Sequence, residues 1–455
     1  MRPCIFWGML SDPIAALATP PGRSALAVIR LSGEGAFDVA RTVVAKFEPS
    51  PPRVVRLATF RAADGSPIDH GLYTVFPAPN SYTGEDLVEF SCHGGLTAPA
   101  TVLAALYAAG ARAARPGEFT RRAVLNQKMD LVQAEAVGDL IDATAPAQAK
   151  AALEQMDGAL SRRVGELREQ LIELQALLSY DIDFPEEDDG PIPAARIVQA
   201  FDRTAGQVDL LLRTAPAGQR LREGALVVIA GPPNVGKSSL FNALLGTRRV
   251  LVSDTPGTTR DTVEVFTDFN GWPIRLADTA GLFEFTDPVN RMGVDVSREY
   301  IGAADLVLLC VEQGRLPDAS ELELMKREHV MLVRTKSDLV ARRPEGPAAG
   351  DDTAVSVVTG EGLDRLRHKA AQLLFSNHTP VANLEPALTR ARHREALSQA
   401  QASLAAARPH LGRQGDAVLV SHHVRDATAA LDELIGVVEV EQVLDRVFAS
   451  FCVGK

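Results

Sequence analysis

The stretch Gly-Pro-Pro-Asn-Val-Gly-Lys-Ser, residues 231–238, decides the fold of this chain. It matches the pattern G-x-x-x-x-G-K-[ST], in which a glycine-rich loop leads into a helix. An apolar run typical of a β-strand, residues 226–230, precedes the loop, and a run compatible with a helix, residues 239–245, follows it. This order predicts that backbone N–H groups at the helix start wrap a phosphate group.

Two side chains of this loop have predicted roles at that phosphate. Lys237 is expected to span the β- and γ-phosphates of a nucleotide, and the Ser238 hydroxyl is expected to bind Mg²⁺. Gly231 and Gly236 let the main chain approach closely because they have no Cβ. The alternative interpretation is a chance match in a flexible loop, and the motifs further along the chain argue against it.

A second and a third motif supply groups for the γ-phosphate and the metal. The sequence Asp-Thr-Ala-Gly, residues 278–281, ends an apolar run. A carboxylate at Asp278 can hold the hydration shell of Mg²⁺, and the Gly281 amide can meet the γ-phosphate. The sequence Gly-Thr-Thr-Arg-Asp, residues 257–261, supplies hydroxyl groups, and we expect Thr259 to complete the metal shell.

The base is predicted to lie against Thr-Lys-Ser-Asp, residues 335–338. A carboxylate at Asp338 can accept hydrogen bonds from the N1–H and the 2-amino group of guanine. Adenine has neither donor, so it would leave a buried charge unpaired. Ser356, after the next apolar run, is expected to contact the guanine O6. Phosphate loop, metal motif, hydroxyl-rich loop and base motif together predict a GTPase.

The residue after Gly281 is Leu282, where Ras-like GTPases have a glutamine that orients the attacking water. Leucine cannot donate a hydrogen bond, so another group must stabilise the transition state. Asn234 is one candidate, because its amide oxygen is a hard ligand suited to K⁺. The other interpretation is that Asn234 only tolerates a left-handed turn, and the residue type alone does not decide between them.

Composition limits the remaining possibilities. A chain of 455 residues with 46% hydrophobic residues predicts two to four domains with buried cores. The net charge of −11 means that any RNA contact must be local or shared with a partner. The four cysteines have no C-x-x-C spacing, which argues against zinc and a disulfide framework. No apolar run approaches the ~20 residues of a membrane span, and a cytoplasmic location is predicted.

The chain is predicted to be a multidomain α/β protein. Residues 1–127 are predicted to form an α+β domain. Residues 128–220 and 378–455 are predicted to form two parts of a helical domain. Residues 221–377 alternate strands with helices, which predicts a mainly parallel sheet inserted between the helical parts. An apolar stripe over 153–178 predicts long helices that pack as a bundle or coiled coil, and the simpler interpretation, that the stripe is buried core, is preferred. Residues 215–218 predict a turn, and residues 354–357 predict a strand.

Several strings resemble the tRNA-modification GTPases of the MnmE (TrmE) family in family order. They are ATPPGR (18–23), SYTGEDLVEF (81–90), CHGG (92–95), RPGEFTRRAVLNQKMDLVQAEAVGDLIDA (115–143), GPPNVGKSSL (231–240), GTTRD (257–261), DTAGL (278–282) and FCVGK (451–455). The resemblance covers nearly the whole chain. It implies an N-terminal domain that binds 5-formyl-tetrahydrofolate and forms a homodimer, with Arg30, Glu89, Lys128 and Lys455 at the folate.

The resemblance also implies a reaction. With an FAD-dependent partner, MnmG (GidA), the family adds an aminomethyl or carboxymethylaminomethyl group to C5 of the wobble uridine of certain tRNAs. K⁺ and GTP are expected to bring the two G domains of the dimer together. The implied K⁺ ligands are Asn234, Ser253, Thr255 and Thr258, and the implied Mg²⁺ ligands are Ser238 and Thr259.

The full set of site residues follows from the motifs and the resemblance. The nucleotide is expected to contact Asn234, Val235, Gly236, Lys237, Ser238, Ser239, Ser253, Asp254, Thr255, Pro256, Gly257, Thr258, Thr259, Asp278, Thr279, Ala280, Gly281, Thr335, Lys336, Asp338, Ser356, Val357 and Val358. Hydrolysis is expected to depend on Asn234, Lys237, Thr259, Asp278, Gly281 and Asn290.

Three positions depart from the family pattern. Phe283 stands where the family has arginine, and Asn290 where it has the catalytic glutamate. Asparagine can orient a water but has no negative charge, so we expect slow hydrolysis or a role for Glu284 or Asp287. Thr335 replaces the asparagine of the base motif, which predicts weaker guanine binding.

Three alternative functions remain open at the sequence level. One is a regulatory GTPase of the ribosome-assembly kind, which would not explain CHGG or FCVGK. A second is a folate-dependent aminomethyltransferase that carries the GTPase as a passenger. A third is a helical scaffold with a switch that binds GTP without hydrolysing it, and Asn290 favours that alternative.

Overall fold

A computed structural model of the chain forms two compact units, Met1–Gly138 with Asp432–Lys455 and Asp139–Leu431. The structure describes residues 11–49, 51–183, 193–246, 264–278, 299–339, 353–375, 387–412, 416–436, 444, 447–448 and 451–454. Among the helices so described, none combines the length and the apolar character that a membrane crossing requires.

The first unit is built on a six-stranded sheet. Its elements are β1 (Ile14–Leu17), β2 (Leu26–Ser32), α1 (Ala36–Val43), β3 (Arg56–Arg61), β4 (Pro67–Phe76), β5 (Leu87–His93), α2 (Ala98–Ala108), β6 (Arg112–Ala113), α3 (Glu118–Leu125) and the first part of α4 (Leu131–Asp142), a helix whose residues from Asp139 onward belong to the second unit. The strand order is β3-β4-β5-β2-β1-β6, and every pair is antiparallel except β1 with β6. Alternating residues of β2 and β5, such as Ile29 and Phe90, are buried against α1 and α2. This pattern is typical of a sheet with one covered face.

A buried ion cluster fixes α3 to the sheet. Arg122 is 1% exposed and its guanidinium donates to Asp12 and Glu118 at 3.0 Å each. Burial by itself would raise the pKa of Glu118, but hydrogen bonds from Arg112, the Arg115 backbone and Arg122 prevail and lower this pKa to about 2. The cluster therefore stabilises the fold only while Glu118 is ionised.

The second unit contains the strand, loop and helix of the phosphate motif. Its elements are α5 (Pro146–Met156), α6 (Ala159–Asp183), α7 (Ala194–Leu212), α8 (Ala215–Glu223), β7 (Ala225–Ala230), α9 (Lys237–Leu245), β8 (Glu264–Phe269), β9 (Trp272–Asp278), β10 (Leu306–Glu312), α10 (Ala319–Met325), β11 (Val330–Thr335), a 3₁₀ turn (Ser337–Leu339), β12 (Thr353–Ala354), α11 (Leu363–Phe375), α12 (Ala391–Ala407) and α13 (Ala417–Ile435). The sheet order is β12-β11-β10-β7-β9-β8.

All strands of this sheet run parallel except β8, which pairs antiparallel with β9. The central strands β7 and β10 are apolar and buried along nearly their whole length. Continuous burial is expected for parallel strands that helices cover on both faces. The carboxyl ends of β7, β9, β10 and β11 therefore lie along one edge, which is where open α/β sheets bind ligands.

The prediction of a mainly parallel sheet is confirmed, but two local predictions were wrong. Residues 215–218 belong to helix α8 instead of a turn, because Pro216 lies in the first helical turn, where proline is tolerated. The stripe over 153–178 lies on two helices, since Asp157 and Gly158 divide it between α5 and α6, and Gly158 has a φ of 80°. The strand expected over 354–357 is limited to Thr353–Ala354.

Candidate nucleotide-binding site

The phosphate loop has the backbone geometry that its glycines permit. Gly231 has a φ of 139°, and a Cβ there would lie 2.5 Å from the Cys310 carbonyl oxygen. Gly236 has a φ of 96° and precedes the first residue of α9. Asn234 also has a left-handed backbone, with a φ of 63°, which is compatible with both interpretations of this residue. Its role as a K⁺ ligand remains a prediction.

The two side chains with predicted phosphate and metal roles are held by neighbours. Lys237 is 9% exposed, and its Nζ donates to the Pro232 carbonyl oxygen at 2.8 Å, so the ammonium group lies over its own loop. The Ser238 hydroxyl donates to Asp278 Oδ2 at 2.9 Å. A hydroxyl and a carboxylate from two separate motifs are thereby in contact, and both are oxygen donors that suit Mg²⁺.

The floor of the loop is apolar and stays uncharged. Cys310, on β10, is fully buried beneath Gly231. Burial raises the pKa of its thiol to about 12, with a smaller opposing effect of Lys237. The thiol is therefore protonated at neutral pH, and the positive charge near the loop is available to a phosphate instead of a thiolate.

The base motif is connected to the phosphate loop by one hydrogen bond. Thr335 is 2% exposed and its hydroxyl donates to the Val235 carbonyl oxygen at 2.7 Å. Ser356 is fully buried, and its hydroxyl donates to Asp338 Oδ1 at 2.6 Å. In this structure Ser356 thus orients the carboxylate that we expect to read the base, while its predicted contact with the guanine O6 remains a prediction.

One residue of this region was not identified from the sequence. Glu312, the last residue of β10, pairs with Lys336, with 3.1 Å between Oε2 and Nζ. Lys336 has a left-handed backbone with a φ of 56°. The sequence could have indicated Glu312, because it is a carboxylate at the carboxyl end of an apolar parallel strand.

Two further residues that were predicted to contact the nucleotide differ in exposure. Val357 is partly buried and Val358 is 87% exposed.

Many predicted site residues lie outside the described parts of the chain. They are Ser253, Asp254, Thr255, Pro256, Gly257, Thr258, Thr259, Thr279, Ala280, Gly281, Asn290 and Lys455. The predicted roles of Thr259 in Mg²⁺ binding and of Asn290 in hydrolysis therefore remain predictions. Among the described residues, no three His, Cys, Asp or Glu side chains are grouped so that they could hold a metal ion by themselves.

The predicted folate residues of the first unit include one ion pair. Arg30 on β2 lies opposite Glu89 on β5, and 2.9 Å separates Arg30 Nε from Glu89 Oε1. Their side chains are 27% and 30% exposed. The Arg30 guanidinium also lies 5.4 Å from the centre of the Tyr82 ring. Lys128 donates to the Pro79 carbonyl oxygen at 3.0 Å, so Arg30, Glu89 and Lys128 each have a partner within the chain.

Comparisons with known proteins cover almost the entire chain. The family described as the MnmE helical domain matches residues 131–452, and the family described as the GTP-binding protein TrmE N-terminus matches residues 13–128. The chain is 41% identical to the tRNA modification GTPase MnmE of Moorella thermoacetica, over 98% of this chain and 100% of the relative. It is 42% identical to the protein of the same name from Methylobacterium radiotolerans, over 98% of this chain and 99% of the relative.

Two similar solved structures each match part of the chain. The G domain of the T. maritima FeoB iron transporter is 32% identical, covers 33% of this chain and 98% of its own, and has a TM-score of 0.26. Aquifex aeolicus Era bound to GDP and AlF4⁻ is 23% identical, covers 39% of this chain and 66% of its own, and has a TM-score of 0.26.

Proposed function

From the premise that the chain belongs to the MnmE family of tRNA modification GTPases, we propose that it modifies C5 of the wobble uridine of certain tRNAs. The proposed partner is the FAD-dependent protein MnmG (GidA), and the added group is aminomethyl or carboxymethylaminomethyl. GTP hydrolysis is the activity of the chain itself. We place this reaction in the cytoplasm.

The contact of 2.9 Å between the Ser238 hydroxyl and Asp278 is the main observation that supports a nucleotide-binding site here. It brings together two motifs separated in sequence, at the carboxyl end of the sheet. Lys237 lies over the same loop, where its Nζ can exchange the Pro232 carbonyl for phosphate oxygens. Ser238 would hold Mg²⁺ together with Thr259, and the ion would supply positive charge at the β- and γ-phosphates.

Base selection is assigned to Asp338. The Ser356 hydroxyl occupies one carboxylate oxygen and thereby fixes the orientation of the group. An ionised carboxylate accepts several hydrogen bonds, so the remaining sites can accept from guanine N1–H and the 2-amino group. The Thr335 hydroxyl stabilises the position of the base motif, because its hydrogen bond connects this motif to Val235 of the phosphate loop.

Hydrolysis is proposed to depend on K⁺ rather than on a glutamine. Asn234, with Ser253, Thr255 and Thr258, would hold the ion, which would supply positive charge during phosphoryl transfer. The left-handed backbone of Asn234 is compatible with this role but does not require it. Because Asn290 replaces a glutamate, we expect a slow rate of hydrolysis.

The first unit is proposed to bind 5-formyl-tetrahydrofolate and to form the homodimer. The pair of Arg30 and Glu89 supplies a cation for carboxylates of the ligand and a carboxylate for pterin N–H donors. Leu57 and Leu72 lie opposite each other on β3 and β4 and are 77% and 38% exposed. Apolar side chains paired on an open sheet face are typical of an interaction surface, which supports a dimer that uses this face.

The proposed domains are residues 1–127, the helical parts 128–220 and 378–455, and a G domain over 221–377. The acidic net charge of −11 favours a tRNA contact that is shared with the partner protein. The decisive experiment is mass analysis of the wobble uridine in a strain that lacks the gene, with and without the gene restored. Loss of the modified base that the gene restores supports the proposal, and an unchanged base contradicts it.

The non-hydrolysing scaffold is the competing function, because Asn290 has no carboxylate. Its discriminating test is GTP turnover by the purified chain in K⁺ and in Na⁺. Turnover stimulated by K⁺ supports the proposed function. Binding of GTP without turnover in either salt supports the scaffold.

A further inference from the structure

Asp139, on α4, binds the two ends of the segment that contains the GTPase sheet. The Arg222 guanidinium, just before β7, donates to Asp139 Oδ1 at 3.0 Å. The Arg390 guanidinium, just before α12, donates to the same oxygen at 2.7 Å and to Oδ2 at 3.3 Å. The three side chains are 14%, 34% and 19% exposed, so the ion pairs are only partly screened by water.

Arg222 also contacts the first turn of α5 through its backbone. Its carbonyl oxygen accepts a hydrogen bond of 2.8 Å from Gln148 Nε2. The other end of the same amide, Gln148 Oε1, accepts from the backbone N–H groups of Thr144 and Ala145 at 2.8 and 3.0 Å. Gln148 is 9% exposed, and it thereby caps the start of α5 in one orientation.

The first turn of α5 is in turn hydrogen-bonded to the sheet. The Ala147 N–H donates to the Gly271 carbonyl oxygen at 3.0 Å. Gly271 and Asn270 form the tight turn between β8 and β9, with φ values of 87° and 54°. Both residues are left-handed, as the favoured two-residue hairpin turn requires.

Strand β9 leads from this turn directly to the nucleotide site. It begins at Trp272, directly after Gly271, and ends at Asp278, whose carboxylate accepts the Ser238 hydroxyl. Strand β9 is also joined to the residue directly before β7, since Arg275 Nε donates to the Gly224 carbonyl oxygen at 3.1 Å. A displacement of Asp278 along the strand would therefore reach Gly271, Ala147 and Gln148 in sequence.

We propose that Asp139 is a positioning residue that couples the nucleotide state at Asp278 to the helical part of the chain through Arg222, Gln148 and the Asn270–Gly271 turn. This inference rests on the proposed nucleotide site and goes beyond it. Coupling of this kind is measured at both ends of the series of hydrogen bonds. The Ala147 amide offers that measurement, because its hydrogen bond crosses from α5 to the hairpin.

The variant Asp139→Asn keeps the shape of the side chain and removes its charge. Asp142→Asn is the matched control, because Asp142 lies one turn further along α4, is exposed, and makes no ion pair with any described residue. Arg390→Gln is a milder second variant, which removes one of the two ion pairs. Thermal unfolding and GTP turnover of the full-length chain confirm that each variant is folded.

Hydrogen exchange at the Ala147 amide, with GDP and with a non-hydrolysable GTP analogue, is the direct readout. We expect the two nucleotides to change this exchange rate about tenfold in the parent and in Asp142→Asn, and to change it little in Asp139→Asn. GTP turnover of Asp139→Asn should stay within about twofold of the parent, while tRNA modification falls by about tenfold.

The inference is overturned if the exchange rate of the Ala147 amide is the same with both nucleotides in the parent. It is also overturned if the two nucleotides change this rate in Asp139→Asn as much as in the parent. Equal tRNA modification by Asp139→Asn and Asp142→Asn overturns it as well. None of these three results affects the proposed function, which is tested separately by the wobble-uridine analysis of the parent gene. Failure of the function would instead appear as unmodified tRNA with the parent chain itself.

Discussion

Replacing Thr335 by valine removes one hydroxyl and almost no volume, so it removes the hydrogen bond between the base motif and the phosphate loop, together with a longer contact of 3.5 Å to the Val311 carbonyl oxygen. The bond is 2.7 Å long, and Thr335 is 2% exposed. A neutral buried hydrogen bond contributes about 1 kcal/mol, and the unpaired carbonyl of Val235 adds to the loss. We therefore expect Thr335→Val to lower the free energy of unfolding by about 1–2 kcal/mol and to weaken GTP binding about fivefold.

Thr353→Val is the matched control for this change. Thr353 is 1% exposed and lies on the neighbouring strand β12, opposite Val333, and its hydroxyl has no hydrogen-bond partner among the described residues. Removing an unpaired buried hydroxyl should leave stability unchanged or raise it by about 1 kcal/mol. Urea unfolding and GTP titration of both variants give the comparison. Equal losses for the two variants, or no loss for Thr335→Val, would refute the reasoning.

Further predictions concern pH, the base, the catalytic position and the cation. The folded-state pKa of Glu118 is about 2, below its unfolded value of 4.5, so its contribution of roughly 3 kcal/mol is present above pH 4.5 and is lost as the pH falls towards 2. Urea unfolding between these pH values should therefore depend less on pH in Glu118→Gln, and parallel curves would disprove this. Asp338→Asn should weaken GTP binding at least about tenfold by calorimetry, because the amide nitrogen cannot accept from guanine. Asn290→Glu should raise GTP turnover about tenfold if this position orients the water, and an unchanged rate means that it is not catalytic here. Asn234→Ala should abolish the stimulation of turnover by K⁺ over Na⁺, and preserved stimulation would remove Asn234 from the cation site.

The parts of the fold that strong local patterns specify could be predicted. The run of apolar residues in β7 and the glycine loop after it fixed a buried parallel strand and a helix start, because few other structures satisfy both. Strand β8 was not predicted. Its sequence, Glu-Val-Phe-Thr-Asp-Phe, has no continuous apolar run, as is expected for an antiparallel strand at the sheet edge.

Residues whose roles depend on partners far away in the chain could not be predicted from the sequence. Asp139 and Arg390 are far apart in the chain, and neither belongs to a motif of nucleotide chemistry. The position of Thr335 beneath Val235 also depends on how β11 lies beside β10 and β7 in the sheet. Motif types predict which residues contact the nucleotide, whereas the hydrogen bonds that hold these residues could be identified only from the three-dimensional fold.

The central claim is that the loop of residues 231–238 and Asp338 together bind a guanosine triphosphate. Calorimetric titration of the full-length chain with GTP and with ATP, both with Mg²⁺, tests it most directly. Because Asp338 offers charge-assisted hydrogen bonds to two donors that adenine lacks, we predict that GTP binds at least about 100-fold more tightly and that Lys237→Ala abolishes the difference by removing measurable binding. Equal affinities for GTP and ATP, or undiminished GTP binding by Lys237→Ala, would contradict the claim.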